Sequence, residues 1–227
     1  MKALIGFLLL AVIAAAEPVK SAWAEYVGSV EADEVRWRDR FGRQELNPRW
    51  ELLKPPTAKW WSTGWGLELE PVSKGFGSET ELAFVGYRIG HRRFTFTVQV
   101  EVPRDSRLKM GLVLFDKAGN SHRFAVWRGP RGGIEFVQKS SSSGPAAHWE
   151  TETALPVLSV LSYSSEGHKP PEKVWLRMEA DENHYEFSYS ANRGETWIEL
   201  ERGRATRETG MLNPLGGMVG PFVERSY

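Results

Sequence analysis

From Phe94 to Val102 every second side chain is apolar (Phe94, Phe96, Val98, Val100, Val102), and the ones between are Thr, Gln or Glu. Spacing of two puts that apolar set on one face of a β-strand and scatters it around a helix. Similar runs recur at 108–116, 121–128, 133–139, 173–180, 184–190 and 196–200, and a further strand is expected at 147–154. Turn-forming groups separate them, among them Asp116-Lys117-Ala118-Gly119-Asn120, Gly129-Pro130-Arg131-Gly132-Gly133 and Asn192-Arg193-Gly194. No long amphipathic helical pattern is found. The reading is all-β, a sandwich or jelly roll of two antiparallel sheets in one domain. Two stretches break the rhythm: 54–66, read as an aromatic-rich loop, and 139–173, rich in Ser and Pro with an apparent insertion at 157–170.

Composition excludes several functions. With 227 residues and 41% hydrophobic content, the chain can bury a core of its own. Twenty-nine Lys+Arg against 29 Asp+Glu, with the basic residues scattered singly, give no footprint for nucleic acid. There is no cysteine, so disulfides, thiol catalysis and Cys-ligated metals are ruled out.

The N-terminus reads as an address. Lys2 is followed by an uncharged apolar run from Ala3 to Ala16, too short for a comfortable membrane span and typical of a secretory leader. Two small-x-small exits follow, Ala14-Ala15-Ala16 before Glu17 and Ala22-Trp23-Ala24 before Glu25. The second is favoured, which gives a signal peptide over 1–24, a sandwich domain over 25–227, and a secreted or periplasmic protein with no membrane partner after cleavage.

Several segments in order resemble one family. Phe41 with Leu46-Asn47-Pro48-Arg49-Trp50, then Gly66-Leu67-Glu68-Leu69, is similar to the opening of the concanavalin A-like sandwich at the C-terminus of family 43 glycoside hydrolases, the β-xylosidases and arabinofuranosidases. Ala83–Arg88, Met110–Phe115, Val174–Ala180 and Tyr185–Ser190 resemble its internal strands, and the likeness covers about 39–223. The resemblance implies a concanavalin A-like fold and a polysaccharide partner. The family's catalytic propeller has no counterpart in this sequence. The sequence also stops near the point where the family adds one more aromatic strand, and residues 25–38, with Val35-Arg36-Trp37-Arg38 alternating, are a candidate substitute.

Catalytic groups are sparse. A hydrolase on such a sheet needs two carboxylates on one face. Glu68/Glu70, Glu150/Glu152 and Glu199/Glu201 have that spacing, but none lies in an E-x-D-x-x-E pattern. Glu179-Ala180-Asp181-Glu182 begins one without a closing Glu. Glu150 and Glu152, with His148 on the same strand, are the catalytic alternative. No G-x-S-x-G elbow and no metal-ligand spacing of the five histidines occurs, so no cofactor is assigned; a structural calcium site would leave no mark in sequence. Ser190–Trp197 resembles a sialidase-type Asp box with Asn192 in place of Asp, and is read as a structural hairpin.

The ten tryptophans remain. Indole rings stack on sugar faces while bonding hydroxyls at their edge. Trp37, Trp50, Trp175 and Trp197 are assigned to packing. Trp61, Trp65, Trp127 and Trp149, with Arg88 and His148, are the carbohydrate-binding candidates. The expected function is a non-catalytic, lectin-like module. A glycan-cleaving hydrolase, or an interaction subunit for a separate catalytic protein, are the alternatives.

Overall fold

A computed structural model describes residues 19–30, 33–43, 45–52, 58–62, 66–71, 81–116, 120–129, 133–142, 149–154, 171–181, 184–199 and 215–225. These form fifteen strands: β1 Val19–Val30, β2 Asp33–Asp39, β3 Trp50–Leu52, β4 Ala58–Ser62, β5 Leu67–Pro71, β6 Glu81–Arg88, β7 Arg93–Glu101, β8 Leu108–Phe115, β9 Ser121–Arg128, β10 Ile134–Ser142, β11 Trp149–Ala154, β12 Lys173–Asp181, β13 His184–Ser190, β14 Ile198–Glu199 and β15 Met218–Arg225. Sheet I runs β14-β13-β12-β7-β1-β5-β4, with β2 also beside β1; sheet II runs β11-β10-β9-β8-β15-β6-β3. Every pairing is antiparallel. The all-β sandwich of two antiparallel sheets expected from the alternation is the fold observed, as is the concanavalin A-like architecture that the resemblance implies.

The period-two pattern is the imprint of one-sided burial. In β7 the even residues Phe94 to Val100 face sheet II and the odd ones face outward. From sheet I, Tyr26, Phe96, Leu176, Met178 and Phe187 meet Val85, Met110, Leu112, Phe124 and Val219 of sheet II in one core. The layers interdigitate through rings: Phe124 lies 5.0 Å from Phe187, and Phe136 lies 4.3 Å from Tyr189. Each such side chain removed from water contributes about 1.5–3 kcal/mol. Trp37 and Trp50 meet edge to face at 5.2 Å within this core, as assigned.

Three local expectations change. The stretch 54–66 is not wholly loop, because Ala58–Ser62 pairs with Leu67–Pro71 as the edge of sheet I. The sequence-drawn boundary at 24/25 falls inside β1. Ala24 there is fully buried opposite Val98 and Asp39, and Val19–Ser21 pair with Leu67–Leu69. A chain beginning at Glu25 would lose that half of a central strand. The C-terminal residues, finally, form β15 between β8 and β6 in the middle of sheet II, while the hairpin of β1 and β2 belongs to sheet I.

Candidate functional site

Outward-facing residues of sheet I form a grid fixed by strand register, since directly opposite residues share a face. Across β12, β7 and β1, one row is Trp175, Gln99, Trp23; the next is Arg177, Thr97, Glu25; then Glu179, Thr95, Val27; then Asp181, Arg93, Ser29. Strand β2 extends the second and third rows with Arg38 and Arg36. β13 extends the first three, on the opposite side, with Ser190, Ser188 and Glu186. Nearly every position carries a hydroxyl, amide or charge.

Local contacts hold this grid in place. Glu25, 14% exposed at its side chain, accepts from Arg36 at 3.0 Å and Arg38 at 3.1 Å. The Arg38 guanidinium lies 5.1 Å above the Trp23 ring. Arg177 donates to Ser188 Oγ at 3.1 Å, pairs with Glu179 at 3.4 Å and covers Trp197 at 4.2 Å. Where the third and fourth rows meet β13, the surface sinks into a trough of about 460 Å³, lined by Ser29, Thr95, Glu179, Asp181, His184 and Glu186 among others. That volume lies within the range of small-ligand sites. Glu179 stands directly opposite Glu186 on the neighbouring strand. Among the described residues no group of three His, Asp or Glu is arranged to hold a metal ion.

The Asn-substituted Asp-box segment is the structural hairpin expected. It links β13 to β14. Ser190 Oγ accepts from the amides of Asn192 (3.3 Å) and Gly194 (2.9 Å), and Asn192 Oδ1 accepts from Thr196 N–H at 3.0 Å. Arg193 and Gly194 adopt φ of +63° and +83°, and Trp197 packs against Gly194. The turn fixes Trp197 beneath Arg177.

Of the six residues singled out from sequence, the four that are described lie on four different strands. Trp61 lies on β4 at the edge of sheet I opposite Glu68, and Trp149 begins β11 at the edge of sheet II opposite Ser142. Trp65 and His148 lie outside the described residues. Trp127 is level with Glu135 on β10, seven residues from Ser142, which is about 23 Å along a strand. Its ring lies 5.7 Å from Lys109 Nζ, and its buried indole N–H has no acceptor among the described residues. Arg88 is engaged by Glu51 at 2.9 Å and donates to the Gly216 carbonyl at 3.0 Å. The catalytic alternative falls on β11, where Glu150 pairs with Ser141 and Glu152 with Lys139; the side chains there are outside the described set. Sequence reasoning missed Trp23, Glu25 and Gln99 altogether. Its assignment of Trp175 to packing agrees with the burial of that ring, which is only 8% exposed although in the outward phase of sheet I.

Two titratable groups in the core differ from their ordinary behaviour. Burial pushes the Tyr26 phenol well above its usual range, and its hydroxyl bonds His91 Nδ1 at 2.9 Å. A side chain at Gly28 would collide with both rings. Burial also holds the His122 imidazole at about 4, partly opposed by Asp116, with its ring 4.6 Å from Tyr185.

Comparison with known proteins adds the family context. The model of the beta xylosidase C-terminal concanavalin A-like domain matches residues 38–223. No curated protein matches the chain. Among solved structures, a GH43_12 protein retrieved from capybara gut metagenome superposes with a TM-score of 0.63 at 15% identity, over 84% of this chain and 35% of that one. Xylan beta-1,4-xylosidase from Bacillus halodurans C-125 gives 0.46 at 13% identity, over 82% of this chain and 38% of that one. The chain thus spans little more than a third of either neighbour.

Proposed function

The chain belongs to the family of β-xylosidase C-terminal concanavalin A-like domains, and from that premise we propose that it is a carbohydrate-binding accessory module rather than a hydrolase. The observation that carries the reading is the trough on the outer face of sheet I, lined by hydroxyl, carboxylate and imidazole groups. Such groups exchange hydrogen bonds with sugar hydroxyls, and those to a charged partner are the stronger ones, about 1.5–3 kcal/mol each. Trp23, half-buried two rows away, offers an indole edge on the same face. Because the family is that of β-xylosidase C-terminal domains, a xylan-type polysaccharide is the ligand to try first.

Affinity electrophoresis in xylan-containing gels tests this. The wild-type protein is retarded, and replacing Glu179 and Glu186 together by Ala weakens retention at least tenfold without changing the thermal midpoint. The second reading, hydrolysis, is favoured by the opposition of Glu179 and Glu186, because opposite residues stand about 4.5–5.5 Å apart at Cβ and glycosidases use paired carboxylates. Release of reducing sugar by the wild type, abolished by Glu186→Gln, would establish that reading instead.

Export belongs to the same proposal. The intact span of β1 favours processing at Ala14-Ala15-Ala16 before Glu17, which leaves Val19–Val30 whole. N-terminal sequencing of the exported protein should begin at Glu17; a start at Glu25 would mean that the sandwich tolerates loss of half of β1.

A further inference from the structure

We infer that the arginine-lined cavity beside the outer face of sheet I recognises the carboxylate of a uronic acid, so that the preferred polysaccharide is an acidic one. The inference rests on the saccharide-binding reading above and specifies its ligand.

Between residues 36 and 49 lie five arginines (Arg36, Arg38, Arg40, Arg43, Arg49) and two carboxylates (Asp39, Glu45), in a chain whose charges balance overall. The loop after β2 and the end of that strand enclose a cavity of about 470 Å³, lined by Arg38, Arg40 and Arg43 together with Asp39, Glu45 and Asn47. Asp39 is already committed. Its Oδ1 accepts from the Phe41 amide at 2.8 Å and its Oδ2 from the Trp50 indole at 2.9 Å. Arg36 and Arg38 share Glu25. Arg40 and Arg43 are exposed and have no ion pair among the described residues. Arg40 and Arg43 against Glu45 therefore leave a net positive charge at the cavity rim.

The loop is built to stay where it is. Phe41 adopts φ of +50°, a conformation that an L-residue with a bulky side chain holds only when its surroundings impose it. Here they do: the ring is 3% exposed, lies 5.5 Å from Trp50, and the backbone amide is tied to Asp39. Asn47 completes the loop by accepting from the amides of Arg49 and Trp50. Arginine forks on a fixed loop suit a planar carboxylate, which takes two parallel N–H bonds. The cavity also continues the grid, because Arg38 closes the row of Arg177, Thr97 and Glu25. A glycan lying across the strands toward β2 would bring an acidic branch to the rim.

The test compares retention in gels containing glucuronoxylan, the same polymer after chemical reduction of its carboxyls, and dextran sulfate. Carboxyl reduction is expected to weaken wild-type retention about tenfold. In the Arg40→Gln/Arg43→Gln variant, native and reduced polymer are expected to retard equally, at the level the wild type shows on reduced polymer. Equal wild-type retention by native and reduced polymer overturns the inference and leaves the saccharide-binding reading standing. Dextran sulfate retarding as strongly as glucuronoxylan also overturns it, as generic attraction of polyanions. Absence of retention in every gel overturns both. Thermal midpoints of wild type and variant, expected to agree, exclude misfolding as the source of any loss.

Discussion

The two sheets turn unlike outer faces to their surroundings. On sheet II the outward positions carry Phe84, Val113, Ala125, Met218 and Phe222, all at most 8% exposed, with Phe115 packed beside them. Next to this second apolar cluster, Arg123 and Glu224 pair at 3.2 Å, with side-chain exposures of 12% and 2%. On sheet I the corresponding positions are Thr, Ser, Gln, Glu and Arg around a trough. One face is therefore apolar and packed; the other is polar, and although Trp175, Thr97, Gln99, Ser188 and Ser190 there are also at most 9% exposed, the residues around the trough are half-buried or exposed. Two sheets with the same strand geometry diverge because the residues between the core positions differ.

Substitutions break or sharpen this contrast in a definite order. Phe222→Ala removes a fully buried ring from the sheet II outer cluster, and urea unfolding should show a loss of about 3–5 kcal/mol. A cost under 1 kcal/mol would mean that the face is not truly packed. Glu224→Gln leaves Arg123 charged and buried without its carboxylate, with an expected loss of about 3 kcal/mol. His122, on the inner side of sheet II, gives a pH signature. Its pKa is about 4 when folded against about 6.5 unfolded, so the unfolded chain takes up the proton first. Its contribution is complete above pH 6.5 and is lost as pH falls toward 4. Between pH 7 and pH 5 this group alone should cost about 2 kcal/mol. His122→Gln should flatten the stability profile by that amount; an unchanged profile would contradict the burial argument. Asn192→Ala removes the acceptor for Thr196 N–H in the β13–β14 turn, for about 1 kcal/mol. Ser29→Ala, exposed on the sheet I face, should leave stability within about 0.5 kcal/mol.

The inner faces were legible in the sequence because burial on one side writes itself as alternation: β7, β9, β12 and β13 lie within two residues of the runs read there. The outer cluster of sheet II was not legible as such. In Met110-Gly111-Leu112-Val113-Leu114-Phe115 apolar residues occupy both phases, which erases the period. Strand β4 was hidden for another reason, since Lys59 and Trp60-Trp61 in a Pro- and Gly-flanked stretch carry no clean alternation. The site was the least legible part. Trp23 and Gln99 are 76 positions apart and meet only through register. Trp23 was also assigned to the leader because, of the two small-residue exits at Ala16 and at Ala24, the second was favoured. The arginines of 36–49 appear singly along the chain, separated by Trp, Asp, Phe and Gly, and become a group only where the loop turns at Phe41.

The central claim, that saccharide binds in the trough of sheet I, is tested most directly by calorimetric titration of xylohexaose into the wild type and Thr95→Trp. Thr95 lies on the trough lining, half-buried and outward-facing, so an indole there fills the trough without entering the core. The account predicts measurable binding by the wild type and at least tenfold weaker binding by Thr95→Trp, at equal thermal stability. Wild-type affinity retained in Thr95→Trp would place the ligand elsewhere and contradict it.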